Sequence, residues 1–355
     1  MPTNTPGRSP GQASASRVSL QVNLAPLDAP HAGYVLPHQL RALAAQVDEV
    51  VLTVDSSRNL SSRYRTEDYA EKQLKLQDIL RDVCNQYPHA RISHVDYSEE
   101  AIAEVAKFFT GTVSVPLRAA DGSPIYAYLH GLHSATSEYV IHLDSDMFLG
   151  GGSQTWVSEA VSVLRNDPRV FAVNPLPGPP CADRRLRSQE GVAYPSVGAD
   201  VRLGAAFRFE AVSTRVFLID RSGFGSGAYV LPAVPPDMKR MIRAHLNNTP
   251  RVQPLENCLS VMMARTGLVR VDMLGSGKGM WSLHPNVRSA AFYRELPNLL
   301  RRVETGDIPE AQRGYHDVND AFFDWSDERA ANTRRRRIAR NLLWTRAGLA
   351  ERLSR

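Results

Sequence analysis

Between residues 18 and 146, short β-branched apolar runs alternate with segments of helical length, and no other feature of the chain limits its fold as strongly. Residues 18–24, 49–54 and 91–95 read as strands, and the run Tyr139-Val-Ile-His-Leu-Asp144 reads as a fourth. Residues 37–46, 66–86, 98–109 and 124–135 read as helices. Each parallel return needs a crossover, so this alternation predicts an α/β unit, a mainly parallel sheet with helices on both faces. Ligands of such sheets occupy the crevice beyond the carboxyl ends of the strands. Asp55 falls at one such end, and Asp144 with Asp146 at another.

The stretch from Glu138 to Phe148 carries the clearest chemistry. An apolar run ends abruptly in two carboxylates one residue apart, as a buried parallel strand delivers acidic groups to the rim of a sheet. Mg²⁺ and Mn²⁺ favour carboxylate and phosphate oxygens and keep coordination sites for substrate phosphates, so the pair Asp144/Asp146 suggests an ion bridging protein to a diphosphate. A solvated acidic loop after a core strand is the plain alternative.

Beyond residue 150 the pattern loosens. Residues 156–165 and 256–265 read as helices, and residues 170–174, 214–220 and 268–273 as strands. Residues 175–180 and 230–236 are rich in Pro and Gly and read as long loops, and 275–279 as a flexible one. From about Ser289 the chain becomes helical and basic, with four consecutive arginines at Arg334 to Arg337. In the last helix Leu342, Leu349 and Leu353 fall on one side and Arg336, Arg337 and Arg340 on the other. That pattern suits either a terminal helix docked on the body of the protein or a helix lying on an anionic membrane. The domain expectation is a disordered tail over 1–17, a catalytic unit over 18–288 and a basic helical extension over 289–355.

With 43% hydrophobic residues, 355 positions supply an ordinary core. No apolar run approaches the length of a membrane span, and residues 1–17 lack the apolar centre of a secretory signal. Three scattered cysteines, Cys84, Cys181 and Cys258, suit a reducing cytoplasm rather than a disulfide framework. A formal charge of +5 is too mild to argue for nucleic acid, which is not expected as a partner, and it fits phosphate-bearing ligands or an anionic surface.

Taken in order, these motifs resemble the glycosyltransferases of the GT-A (Rossmann-like) fold, especially the inverting family 2, over roughly residues 18–285. Val-Asp55-Ser-Ser stands where such enzymes place the acid that holds the nucleotide. The segment from Pro124 to Val140 resembles their helix of small and apolar residues feeding an Asp-x-Asp strand, and Asp144 and Asp146 match the Asp-x-Asp. Leu255-Glu256-Asn257 resembles the element supplying the catalytic base, and His284 the later histidine of the metal shell.

The resemblance implies a metal-dependent hexosyltransferase-type enzyme using Mn²⁺ or Mg²⁺ and a UDP- or GDP-type sugar donor. It implies a hydroxyl acceptor, whether glycan, lipid-linked or small molecule. Asp55, Arg118 and Asp144 would contact the donor, Asp144, Asp146 and His284 the metal, and Glu256 would take the acceptor proton. The chain departs from the family after its first strand, which ends Asn23-Leu24-Ala25-Pro26, and after Asp55, which is followed by two serines. The Gln-x-x-Arg-Trp element of processive synthases is absent, which favours addition of single sugars. Competing readings are a haloacid-dehalogenase-like phosphatase, a sugar-phosphate nucleotidyltransferase and a non-catalytic nucleotide-sugar-binding protein. His130 and His133, three apart on one predicted helix, read as packing or surface residues.

Overall fold

Four parallel strands form one half of the central sheet: β1 (Val18–Leu24), β2 (Glu49–Val54), β3 (Ala90–His94) and β4 (Tyr139–Asp144). β1 pairs with both β2 and β4, and β2 with β3. The computed structural model describes residues 16–57, 68–195, 203–247, 249–285, 287 and 289–353, so of the tail expected over 1–17 all but the last two residues fall outside them. The connections are α1 (Ala29–Leu43), α2 (Tyr69–Gln86), and the pair α3 (Glu99–Thr110) and α4 (Tyr126–Ser134).

After β4 come β5 (Phe148–Gly150), α5 (Trp156–Asn166), β6 (Val170–Pro177), β7 (Val192–Ala193), β8 (Ala206–Phe209) and β9 (Val216–Asp220). The chain continues through α6 (Ser222–Gly225), α7 (Met238–Asn247), α8 (Leu255–Thr266), β10 (Val269–Met273) and β11 (Trp281–Leu283). It closes with α9 (Ala290–Thr305), α10 (Ser326–Ala331) and α11 (Arg334–Leu353). The sheet order is β3-β2-β1-β4-β9-β6-β10-β8-β7. β9 runs antiparallel between β4 and β6, while β3, β2, β1, β4, β6 and β10 share one direction, so the α/β sheet is mixed but mainly parallel.

Side-chain alternation feeds both faces. Leu20, Val22, Leu52, Ile141, Leu143 and Leu218 pack with α1, α2 and α5, whereas Val51, Val140, Phe217 and Ile219 pack with α3, α4 and α8. On the second face an unusual polar stripe interrupts the core. Gln21 and His142 are fully buried, Thr53 nearly so, and Gln21 Nε2 donates to Asn23 Oδ1 at 2.7 Å and Thr53 Oγ1 at 2.9 Å. His142 Nδ1 lies 2.6 Å from Gln21 Oε1. Gly131 of α4 lies over this stripe, where a Cβ would come 2.4 Å from Gln21 Nε2.

Several elements differ from the sequence reading. α1 starts eight residues before Pro37, at Ala29, with Pro30 in its first turn and Pro37 inside it. Its buried stripe of Ala32, Val35, Leu36, Leu40 and Leu43 explains why it continues. Burial worth about 1.5–3 kcal/mol per large side chain outweighs the ~3 kcal/mol an internal proline removes. β6 runs through Pro175 to Pro177, into the expected loop. Leu176 and Gly178, which alternate with the prolines, give their N–H groups to Met280 O and Ser282 O, so the ladder survives. α7 has no counterpart in the sequence reading, although Met238, Met241, Ile242 and Leu246 recur at helical spacing, because it is short and follows directly on the Pro-rich stretch 230–236.

The basic segment after residue 289 is only partly solvated. α9 buries Phe292, Leu296, Leu299, Leu300 and Val303 in a third cluster with Phe148, Leu176, Trp281, Phe322 and Trp325, against α1 and β5. α11 lies beside α7 and leaves Ile338, Leu342 and Leu343 exposed, while the side chains of Arg337, Leu349 and Leu353 lie outside those described. No helix among the described residues is long and apolar enough to cross a membrane.

Candidate active site

A cleft of about 610 Å³ opens at the carboxyl ends of β1, β2 and β4, and Asp55, Arg118, Asp144, Asp146, Glu256 and His284 all line it. Asp55 follows β2 and continues its ladder through a bond from its N–H to Leu24 O. Its Oδ1 accepts from the Tyr97 hydroxyl and the Ser57 N–H, each at 2.9 Å. Arg118 donates to Ser57 Oγ at 2.6 Å and stands 3.7 Å from Asp55 Oδ2. Burial, with Asp55 nearby, pushes the Tyr97 phenol far above its ordinary range, so it remains a donor to the carboxylate. This wall thus presents a fixed carboxylate beside a guanidinium.

The acidic turn is braced from below. Buried Gln39 donates to both Asp144 O and Met147 O at 2.9 Å, and Met147 N–H closes the turn on Asp144 O. Asp144 N–H is taken by Arg215 O at 2.8 Å. Its carboxylate accepts the Tyr128 hydroxyl, and His142 Nε2 lies 3.4 Å from the same oxygen, so the polar stripe beneath α4 ends on Asp144. Asp146 points the other way. β5 pairs antiparallel with β11 in the register Leu283↔Phe148, which carries His284 alongside the turn. His284 Nε2 comes to 3.9 Å from Asp146 Oδ2.

Two donors sharing one Mg²⁺ or Mn²⁺, each about 2.1 Å from the ion, can be no more than ~4.2 Å apart, so the Asp146–His284 pair fits a common ion. Among the described residues no group of three or more His, Cys, Asp or Glu side chains forms a ready metal cage. The fit is therefore to an ion that takes its remaining ligands from phosphate and water, the usual habit of Mg²⁺.

Glu256 lies in the first turn of α8, exposed to the cleft, where the helix amino terminus favours a negative charge. Its contact is a long bond, 3.4 Å, from Thr214 Oγ1. The β4–β9 register, Leu143↔Val216, carries Thr214 and Arg215 to the same rim as Asp144. Two other acids of the second half of the sheet, Asp220 and Asp272, do not line the cleft. Asp220 pairs with Tyr139 at the opposite end of β4, and buried Asp272 is gripped by Arg270 at 2.7 and 3.0 Å. His130 and His133 lie off the cleft. His133 stacks edge-on against Phe108, and burial lowers the basicity of both rings.

Sequence reasoning missed Tyr97, Tyr128, Gln39, Arg215 and Asp317. Asp317 lies 3.3 Å from His284 Nδ1 and 3.1 Å from the Arg215 guanidinium; the His284 hydrogen bond first, then Arg215, hold its carboxyl well below the usual range. Tyr128 lies within the Pro124–Val140 segment without standing out as a site residue there, and the other four belong to no local motif. His142 did carry a signal, a polar residue two before Asp144 in an otherwise apolar strand.

No protein-family model matches the chain, and no curated protein matches it. Among solved structures it is similar to a mycobacterial protein at 14% identity and TM-score 0.36, over 84% of this chain and 78% of that one. It is similar to residues 1–349 of TarS from S. aureus at 12% identity and TM-score 0.34, over 90% and 75%. It is also similar to glucosyl-3-phosphoglycerate synthase from Mycobacterium tuberculosis in complex with Mn²⁺, UDP-glucose and glycerol 3-phosphate, at 13% identity and TM-score 0.33, over 84% of each chain.

Proposed function

We propose that the chain is a GT-A-type glycosyltransferase that moves a single sugar from a UDP- or GDP-type donor to an acceptor hydroxyl, with inversion. The observation that carries this reading is the meeting of four chemistries in one cleft at the strand carboxyl ends. These are the Asp55/Arg118 wall, the Asp144/Asp146 turn, the imidazole of His284 and the exposed carboxylate of Glu256. In this reading Asp55 would accept from the nucleoside, Arg118 would face the donor, Asp146 and His284 would hold Mn²⁺ or Mg²⁺, and Asp144 would serve the ribose or the ion. A bound divalent ion neutralises charge that develops on the departing diphosphate. Glu256 then takes the proton of the acceptor hydroxyl as it attacks the anomeric carbon; a carboxylate free of strong partners is available for that transfer.

The acceptor can be a glycan, a lipid-linked sugar or a small molecule, and the exposed apolar residues of α11 leave room for a peripheral membrane contact. The test is a thermal-shift and hydrolysis screen of UDP-, GDP-, CDP- and dTDP-sugars with and without Mn²⁺. Stabilisation and Mn²⁺-dependent release of one nucleoside diphosphate are expected. Release of phosphate from phosphomonoesters instead would make the protein a phosphatase, and binding without turnover would make it a binding protein.

A further inference from the structure

We infer that Asp317, from the segment beyond the sheet, is a positioning residue that fixes the tautomer and aim of His284 and so makes residues 310–319 part of the donor site. The inference rests on the metal-binding part of the proposed function. His284 N–H bonds to His316 O and Val318 N–H to His284 O, both at 2.9 Å, an isolated parallel bridge that sets Asp317 directly beside His284.

The backbone of the loop that presents Asp317 is tied at several points. Fully buried Gln312 donates to Tyr315 O and Asp317 O at 3.1 Å and accepts from Asn319 N–H at 2.8 Å. The Trp325 indole N–H donates to Val318 O at 2.8 Å. At Gly178 a Cβ would come 2.4 Å from Tyr315 O, so this loop lies directly on the end of β6. These bonds fix the backbone from which the half-exposed Asp317 carboxylate reaches His284.

Its geometry supplies what a metal-facing imidazole needs. Asp317 Oδ1 lies 3.3 Å from His284 Nδ1, so it accepts that proton and leaves the Nε2 lone pair toward Asp146. Arg215 donates to the same oxygen at 3.1 Å, and its backbone carbonyl takes the Asp144 N–H, so one residue ties Asp317 to the acidic turn. Without Asp317, His284 keeps its place in the backbone bridge but loses the acceptor that selects its tautomer.

The experiment titrates Mn²⁺ into the full-length protein in the presence of UDP, and of GDP in parallel, following free Mn²⁺ by its paramagnetic resonance signal. Wild type, Asp317→Ala, Asp317→Asn, His284→Ala and the double variant Asp317→Ala/His284→Ala are compared. Asp317→Ala is expected to weaken Mn²⁺ by about 10–100-fold, Asp317→Asn by less because its carbonyl oxygen still accepts from Nδ1. In the His284→Ala background the Asp317→Ala change is expected to add nothing, because its effect runs through the ring. A metal-free reading comes from the ¹⁵N shifts of the His284 imidazole, assigned by their loss in His284→Ala: Nδ1–H in wild type, moving toward Nε2–H in Asp317→Ala. Unchanged Mn²⁺ affinity in Asp317→Ala while His284→Ala binds weakly overturns the inference alone, as does an equal loss in the His284→Ala background. Wild type that binds no Mn²⁺ with either nucleotide overturns the metal reading and this inference with it.

Discussion

Replacing Glu256 by Gln separates chemistry from structure more cleanly than any other change in the cleft. The side chain is exposed and its contact is the 3.4 Å bond from Thr214, so glutamine keeps shape and loses basicity. The folded state forfeits a weak charge-assisted bond and the favourable place of a charge in the first turn of α8, together below about 1 kcal/mol. In a chain of this size that moves the melting temperature by no more than about 4 °C. A general base contributes about 100-fold or more to the proton-transfer step, equivalent to ~2.7 kcal/mol of barrier, so kinetics must fall much further than stability. The assay is release of nucleoside diphosphate from whichever sugar nucleotide turns over in the wild type, with donor affinity measured by calorimetry. Turnover reduced about 100-fold with donor affinity held within about twofold is the expected result. Turnover within a few-fold of wild type refutes the assignment and moves the base to Asp28 or Asp121, acids on the same cleft, because Asp220 is at the far end of its strand and Asp272 is sequestered by Arg270.

Further predictions follow from the same geometry. Asp146→Ala removes the Mn²⁺-dependent part of nucleoside diphosphate affinity while leaving the circular dichroism spectrum unchanged, since the carboxylate lies on the rim; calorimetric titration with and without Mn²⁺ reads it. Gly131→Ala drives a methyl into Gln21 and Thr53, and overpacking of this kind costs about 1–3 kcal/mol; a urea midpoint equal to wild type would show that α4 can lift off the stripe. Asp167 is buried and accepts from Arg169, which first of all holds its pKa down at about 2, and from Tyr194. Its folded pKa lies below the unfolded value of about 3.9, so its stabilisation is complete above that pH and is lost as pH falls toward about 2. Asp167→Asn is accordingly expected to lower urea stability at pH 7 and to approach wild type near pH 2. If α11 lies on an anionic membrane, truncation after Asn332 spares donor turnover and abolishes sedimentation with anionic vesicles at low salt; a full-length protein that does not sediment, or a truncation that unfolds it, makes the helix a structural one docked beside α7.

How much of this was legible in the sequence depends on how far apart in the chain the cooperating groups lie. β1, β2, β3 and β4 follow the predicted runs within about two residues because periodicity is a local property that burial on two faces enforces. The direction of β9 was not legible, since nothing within Val216–Asp220 records that the strand lies between β4 and β6. The same distinction divides the site. Asp55, Asp144 and Asp146 announce themselves as acids at strand ends, whereas Asp317 reaches His284 across 33 residues by a backbone bridge that no local pattern encodes.

One non-local feature nonetheless left a local trace. Gln21, Asn23, His142 and Asp144 lie at alternate positions of two adjacent strands, at the parity opposite to Leu20, Val22, Ile141 and Leu143. Strands buried on both faces ordinarily read as continuous apolar runs, and a buried polar group without a partner costs about 1–3 kcal/mol. A polar residue at the parity of a terminal acid therefore requires a partner on the same face, either the polar residue opposite it on the neighbouring strand or the next one toward the rim. Gln21 and His142 meet that requirement in each other at 2.6 Å, and the line they form ends on the carboxylate of Asp144. Interruptions of an apolar strand that share parity with its terminal carboxylate thus mark the support of the site as well as the site itself.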